Sequence, residues 1–392
     1  MDDGTLPDVA LTQAHLAARI ARARERAGLS QSELAERVGL TQSAISRIET
    51  GARGVDSLEL AAIAQTLRAS VVDLLEERPL AEELEIAARL GEVSDTVAVD
   101  AALSRVLDLV RLDRILDDAG EADAPLELEP IQLPRSAKAI DQGKALATML
   151  RKRWELGDDP LPPNLVNLVE QLSGLNVALE PMDERVAGLC ARIDDFAITL
   201  VDSSVTYGRQ RFTMAHELCH FVLRDGDRLV VDERLSGSKT KIEMRANAFA
   251  AHFLLPEQSI HRYIRSREID GAVVVELQYT FGASLDSLLW HLLNLGHITD
   301  SRRREFQHTG AKAFAFRYGY DSEWQRLEAE RGIRRPPTSL YKRALAAYEH
   351  GAISIEPLAD LLSRRDTDRL RRDLADQGIE YEEQWWQETA PA

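Results

Sequence analysis

The chain has 392 residues and a formal net charge of −17. That length suits two or three domains, and the acidic balance excludes a protein that coats nucleic acid indiscriminately. Two cysteines, Cys190 and Cys219, exclude a disulfide framework and suit a reducing cytoplasm. No basic start followed by an apolar run marks a signal peptide, and no run of 18 apolar residues marks a membrane span. The expectation is a cytoplasmic protein with no membrane partner.

Residues 15–77 read as five short helices. The first runs from His15 to Ala27, with Leu16, Ile20 and Ala23 on one face. Ser30 and Glu33 form a capping box that starts the second. Leu34, Ala35 and Val38 are its inward positions, and Gly39 ends it with a residue that tolerates positive φ. Thr41 caps the third helix, where Ile45 and Ile48 point inward and leave Gln42, Ser43, Ser46 and Arg47 outward. Leu60, Ile63, Ala64 and Leu67 mark the fourth helix, and Val71, Leu74 and Leu75 close the unit.

Two short helices joined by a tight glycine-containing turn have the form of a DNA-binding helix-turn-helix. The run from Gln31 to Gly51 resembles the Xre, or Cro/lambda-repressor-like, family. The resemblance implies that the third helix enters the major groove of double-stranded DNA, with Gln42, Ser43, Ser46 and Arg47 near base edges. It also implies that Gln31 reaches a phosphate or base and Arg53 a phosphate, and that a homodimer reads two half-sites. Residues 15–77 hold eight Arg, no Lys and nine acidic residues. A bundle used only for protein contact is therefore the competing reading, although Arg19, Arg22, Arg24 and Arg26 can give helix one a local positive face.

Residues 78–135 form a helical connector and an acidic linker. Leu84, Ala87, Ala88 and Leu90 make a short apolar stripe, and Leu103, Val106, Leu107, Val110, Leu112, Ile115 and Leu116 a longer one. Either a dimerising, signal-transmitting helix or a packed spacer satisfies that pattern. Pro125, Pro130 and Pro134 mark the linker.

Helices are expected over Ala139–Trp154 and Asn164–Leu172, then strands at Asn176–Leu179, Val186–Cys190 and Phe196–Val201, with a hairpin turn at Asp194–Asp195. An edge of this small sheet can hold an extended peptide by strand addition. His216-Glu217-Leu218-Cys219-His220 follows. On a helix, His216 and His220 stand one turn apart on one face, so two imidazoles can share a metal ion, and Glu217 beside them can hold a water proton. Two nitrogen ligands and a placed carboxylate make half of a zinc hydrolase. A second helix starts near Glu243 and stops at Pro256, with Ala246, Phe249, Ala250, Phe253 and Leu254 inward. Glu243 is the candidate third ligand, against the alternative of a solvated carboxylate favoured by the helix dipole. Asn247, one turn on, is the candidate to fix a ligand histidine's tautomer. His252, Tyr207 and Arg211 are candidate oxyanion helpers.

The stretch from Arg209 to His220, the following Glu243–Pro256 helix and the 281–296 segment together resemble the ImmA/IrrE family of bacterial metallopeptidases. The resemblance covers residues 136–300. It implies an α+β zincin-like domain with Zn2+ held by His216, His220 and Glu243, and Glu217 as general base. Cys219 departs from the family's usual glycine, and a small buried apolar role suits it.

Residues 301–392 read as a helical C-terminal extension, with helices over Ser339–Tyr348 and from Ile353, and Trp385 and Trp386 as either core closure or a partner surface. The expected architecture is therefore multidomain: an all-α five-helix helix-turn-helix domain, a helical connector, the α+β domain and an α-helical extension. Its expected function is a DNA-binding transcription regulator whose zinc endopeptidase cleaves a regulatory protein such as a repressor. The alternative is a non-catalytic repressor, or the antitoxin of a toxin–antitoxin operon, using the peptidase fold as a sensing or partner-binding scaffold.

Overall fold

The computed structural model describes residues 13–67, 71–75, 96–122, 138–193, 195–225, 229–233, 240–265 and 267–381, with positions 128, 131 and 133. The Leu84–Leu90 stripe, Pro125, Pro130 and Pro134 of the linker, and Trp385 and Trp386 lie outside the described residues. The chain divides into two compact units, residues 1–86 and 87–392.

The first unit holds α1 (Gln13–Arg26), α2 (Gln31–Val38), α3 (Gln42–Glu49), α4 (Ser57–Leu67) and α5 (Val71–Leu75). Its core is apolar: Ile20 from α1, Leu34 and Ala35 from α2, Ile45 and Ile48 from α3, and Ile63 from α4 are all buried. The termini follow from local chemistry. Ser30 accepts from the Glu33 amide while Glu33 reaches back to Ser30, and Gly39 stops α2 at φ 71°. Thr41 then accepts from the Ala44 amide and starts α3 at once, so the α2–α3 turn is short.

The second unit begins with α6 (Thr96–Asp118) and α7 (Ala139–Arg153), then α8 (Leu165–Ser173). Strands β1 (Asn176–Glu180), β2 (Val186–Ile193), β3 (Phe196–Asp202) and β4 (Leu229–Glu233) form a four-stranded sheet in the order β1-β3-β2-β4. β1 runs parallel to β3, and the other neighbours are antiparallel. The sequence reading has three of these strands and misses β4. Between β3 and β4 runs α9 (Tyr207–Leu223), followed by α10 (Lys241–Leu254), α11 (Glu257–Ile264), α12 (Gly271–Phe281) and α13 (Leu285–Asn294). α9 packs on the sheet and on α10, and α10 packs closely on α7. A Cβ at Gly143 of α7 would stand 2.3 Å from the Arg245 carbonyl, so that crossing requires glycine.

The remaining helices, α14 (Asp300–Thr309), α15 (Ala311–Arg317), α16 (Asp321–Ala329), α17 (Thr338–Glu349), α18 (Ile355–Leu361) and α19 (Thr367–Ala375), belong to the same unit. Arg335 exchanges backbone hydrogen bonds with Leu179 at 2.9 and 3.0 Å, so the outer edge of β1 is bridged there. α6 packs against β2, β3 and α17. Arg105 pairs with Glu180 at 2.7 Å, and Arg343 of α17 reaches Asp113 and Asp117 of α6 at 2.5 Å each. Val106, Leu109, Val110 and Leu116 of α6 are buried, and Ile115 is exposed. Among the described residues, no helix is long and apolar enough to cross a membrane.

Candidate metal centre and nucleic-acid interface

α9 carries His216, Glu217 and His220, which are 2%, 0% and 1% exposed. Burying two imidazoles and a carboxylate beside Ala215, Leu218 and Cys219 is costly unless they are compensated. Glu243 enters from the first turn of α10, where Thr240 accepts a hydrogen bond from its amide at 3.2 Å and so fixes that turn. Its carboxylate stands 3.1 Å from His216 Nε2 and 3.6 Å from His220 Nε2, and the two Nε2 atoms are 3.0 Å apart.

The helix stop completes the cluster. Arg224 takes a left-handed conformation at φ 53°, and the Asp225 amide turns back to the His220 carbonyl at 3.0 Å. That fold brings Asp225 Oδ2 to 3.1 Å from His220 Nδ1, while Arg245 of α10 holds the other carboxylate oxygen. The carboxylate assigns the tautomer: Nδ1 carries the proton and donates, leaving the Nε2 lone pair turned toward His216 and Glu243. Burial pushes the Asp225 carboxyl up, but its bonds to His220 and Arg245 and the Arg245 charge outweigh burial and hold it below its ordinary value. Burial likewise raises Glu243, and the hydrogen bond and charge of His216 with the charge of His220 outweigh it.

These donors fit a small divalent cation. Three electron-pair donors converge with all ligand atoms within 4.8 Å of one another. Tetrahedral zinc with bonds of about 2.0–2.2 Å needs donors roughly 3.3–3.5 Å apart. Two nitrogens and a carboxylate, with a carboxylate behind one imidazole, are the ligand chemistry of such a site.

Gly188 of β2 sets how closely the sheet approaches. A Cβ there would stand 2.5 Å from Glu217 Oε1 and 2.7 Å from Thr213 Cγ2. Cys219 is fully buried, and burial pushes its thiol up, as suits a small apolar residue.

Tyr207 and His252 lie elsewhere. Asn247 is exposed, and Asp225 stands at the outer nitrogen of His220. Tyr207 precedes His216 by nine residues on α9, and His252 follows Glu243 by nine on α10. Each is therefore about 13 Å along its helix from the cluster. Tyr207 donates to the Pro163 carbonyl at 2.7 Å, and Arg211 donates to the Pro162 carbonyl at 2.7 Å. His252 packs edge-on against His291 at 4.8 Å between ring centroids.

In the first unit, Gln42, Ser43 and Arg47 are exposed on α3, and Ser46 is half-buried. A polar chain holds their base. Arg24 donates to Glu49 at 2.6 Å, Gln31 donates to the same carboxylate at 2.8 Å, and Gln42 donates to Gln31 at 3.0 Å. Arg53 pairs with Glu59 at 2.6 Å, next to the start of α4.

Comparison with known proteins agrees with both units. Residues 15–77 match the family described as a helix-turn-helix domain, and residues 173–292 match the IrrE N-terminal-like domain, a peptidase family. The chain thus carries an Xre-like helix-turn-helix domain followed by an IrrE-like metallopeptidase domain. Together they support a transcription regulator with a metallopeptidase-like domain. It is 30% identical over 130 residues to the radiation response metalloprotease IrrE of Deinococcus deserti, strain VCD115. That match takes in 32% of this chain and 45% of the relative, so it spans less than half the relative's length. Among solved structures, Bacillus thuringiensis PlcR in complex with the peptide PapR7 and DNA aligns at 13% identity over 80% of this chain and 99% of its own, with a TM-score of 0.20. ComR from Streptococcus suis aligns at 12% identity over 94% of this chain and 97% of its own, with a TM-score of 0.17. Overlaps that low carry no argument about fold or function.

Proposed function

We propose that the chain is a cytoplasmic DNA-binding transcription regulator whose second unit is a zinc-dependent endopeptidase acting on a regulatory protein. The observation that carries this reading is the meeting of His216, His220 and Glu243 with Glu217 one residue along the same helix. When bound, zinc would polarise a peptide carbonyl and acidify a water. His216, His220 and Glu243 would hold it, and Asp225 keeps His220 in the tautomer whose Nε2 is free to ligate. Glu217 receives the proton of the attacking water and passes it to the departing amine nitrogen.

The first unit supplies address. α3 lies in the major groove with Gln42, Ser43, Ser46 and Arg47 toward base edges, Gln31 at the flanking phosphate or base, and Arg53 at a phosphate. A homodimer on two half-sites raises the affinity of a module that is not basic overall.

Host extract incubated with zinc-loaded protein and with the Glu217→Gln variant tests the enzyme reading. Mass spectrometry of new peptide N-termini is expected to find cleavages made only by the wild type. Identical peptide sets would reject the endopeptidase and favour a binding scaffold.

A further inference from the structure

His220 is met at both of its ring nitrogens, and α10 has a hand in each contact. Glu243, in the first turn of α10, faces Nε2 at 3.6 Å. Two residues on, Arg245 holds one oxygen of Asp225, whose other oxygen stands 3.1 Å from Nδ1. The Arg245 and Asp225 side chains are 17% and 9% exposed, so this ion pair is largely out of water. Among the described residues, Asp225 is the carboxylate paired with Arg245.

Arg245 starts from a fixed point. α7 crosses α10 at Gly143, where a Cβ would stand 2.3 Å from the Arg245 carbonyl. Asp225 has a looser footing. Its amide turns back to the His220 carbonyl at 3.0 Å, but its carboxylate can still rotate about two side-chain bonds. Removing one member of a largely buried ion pair leaves the other uncompensated. Without the guanidinium, the Asp225 carboxylate gains by turning out to water, and His220 Nδ1 loses its acceptor. A neutral imidazole with no acceptor at Nδ1 is free to carry its proton on Nε2, the nitrogen that a metal needs bare.

We infer that Arg245 is a positioning residue of the metal centre: by holding Asp225 against His220 Nδ1, it keeps the Nε2 lone pair bare and aimed at His216 and Glu243. It acts through Asp225 and touches neither metal nor substrate. The inference rests on the zinc-site reading for its effect on affinity. The tautomer belongs to the metal-free chain as well and is read there.

Two-dimensional ¹H–¹⁵N spectra of the full-length, metal-free protein labelled with ¹⁵N-histidine report that tautomer, with the His220 signals identified by their loss in His220→Ala. Wild-type His220 is expected to carry its proton on Nδ1, and Arg245→Met to populate the Nε2–H form measurably. Arg245→Gln, which keeps a polar side chain, carries the same expectation should Arg245→Met fail to fold. Chelator competition is expected to show zinc held about tenfold more weakly in either variant. In an Asp225→Asn background, the same substitutions are expected to change zinc affinity by less than about twofold, because their effect runs through Asp225. Wild-type His220 in the Nε2–H form, or an unchanged tautomer in both variants, would overturn the inference. So would zinc affinity unmoved by either substitution, or losses that simply add to that of Asp225→Asn. Wild-type protein that takes up no zinc would reject the zinc site instead, and the tautomer alone would then decide the role of Arg245.

Discussion

Gly188 of β2 passes directly beside Glu217 of α9, so closely that a Cβ at 188 would lie 2.5 Å from the carboxylate oxygen. The strand and the metal-bearing helix are thus in register only because residue 188 has no side chain. Gly188→Ala must push the Glu217 carboxylate or Thr213 aside. The variant is expected to lose about 1–3 kcal/mol of stability, as overpacked sites do. It is also expected to keep its zinc and to lose most peptide hydrolysis. Thermal unfolding, metal content and cleavage measured on one preparation check this, and wild-type cleavage would show that Glu217's placement does not depend on the strand.

Asp225 fixes His220 from behind. Asp225→Asn keeps its size but removes the charge that favours a proton on His220 Nδ1. Zinc affinity is expected to fall by about 10–100-fold, the usual cost of losing such a partner. Competition against a chromophoric chelator reads the change. An affinity equal to wild type would assign Asp225 to holding Arg245 alone.

The two units differ in how far the sequence discloses them. Ser30, Glu33, Gly39 and Thr41 are local signals, each acting within one turn of chain, and the helix-turn-helix is legible from them. The His216–His220 spacing is equally local, and Glu243 is legible because a capped first turn presents it. Asp225 is not, since the left-handed stop before it is an arginine, Arg224, and carries no glycine signal. Gly188 reads as an ordinary strand glycine until β2 is laid against α9. The fourth strand, Leu229–Glu233, is too short to stand out from its charged surroundings. The packing of α6 depends on ion pairs such as Arg105–Glu180 and Arg343–Asp113, which join residues remote in sequence. Tyr207 and Arg211 look like metal-site helpers by nearness in sequence, but along a helix that separation carries them to the Pro162 and Pro163 carbonyls.

The Arg24–Glu49–Gln31–Gln42 chain ties the start of α3 to α1 and α2. Gln42→Ala is expected to cost about 1–3 kcal/mol on the cognate site with little effect on unrelated duplex. Arg53→Ala is expected to weaken all duplexes alike and to lower the salt slope by about one. Fluorescence anisotropy on a duplex from the chain's own promoter, across a salt series, separates the two. Equal losses on cognate and unrelated DNA for Gln42→Ala would place α3 outside the groove.

His291 gives the second unit a pH dependence. Burial, and after it the neighbouring His252, push its imidazole down to about 3. An unfolded histidine titrates near 6.5, so below that pH the unfolded chain takes a proton that the folded chain refuses. Stability contributed by neutral His291 is full above about pH 6.5 and is lost as pH falls toward about 3. His291→Leu is expected to flatten urea-unfolding stability between about pH 6.5 and 4 relative to wild type. Parallel pH profiles would mean His291 protonates freely in the folded state.

Zinc content after reconstitution and dialysis, measured on wild type, His220→Ala and Glu217→Gln, tests the metal centre most directly. One zinc per chain is expected in wild type and in Glu217→Gln, and less than about a tenth of that in His220→Ala, because a two-donor site holds zinc far more weakly than a three-donor one. Wild-type protein without zinc, or His220→Ala retaining a full equivalent, would contradict a centre built on His216, His220 and Glu243.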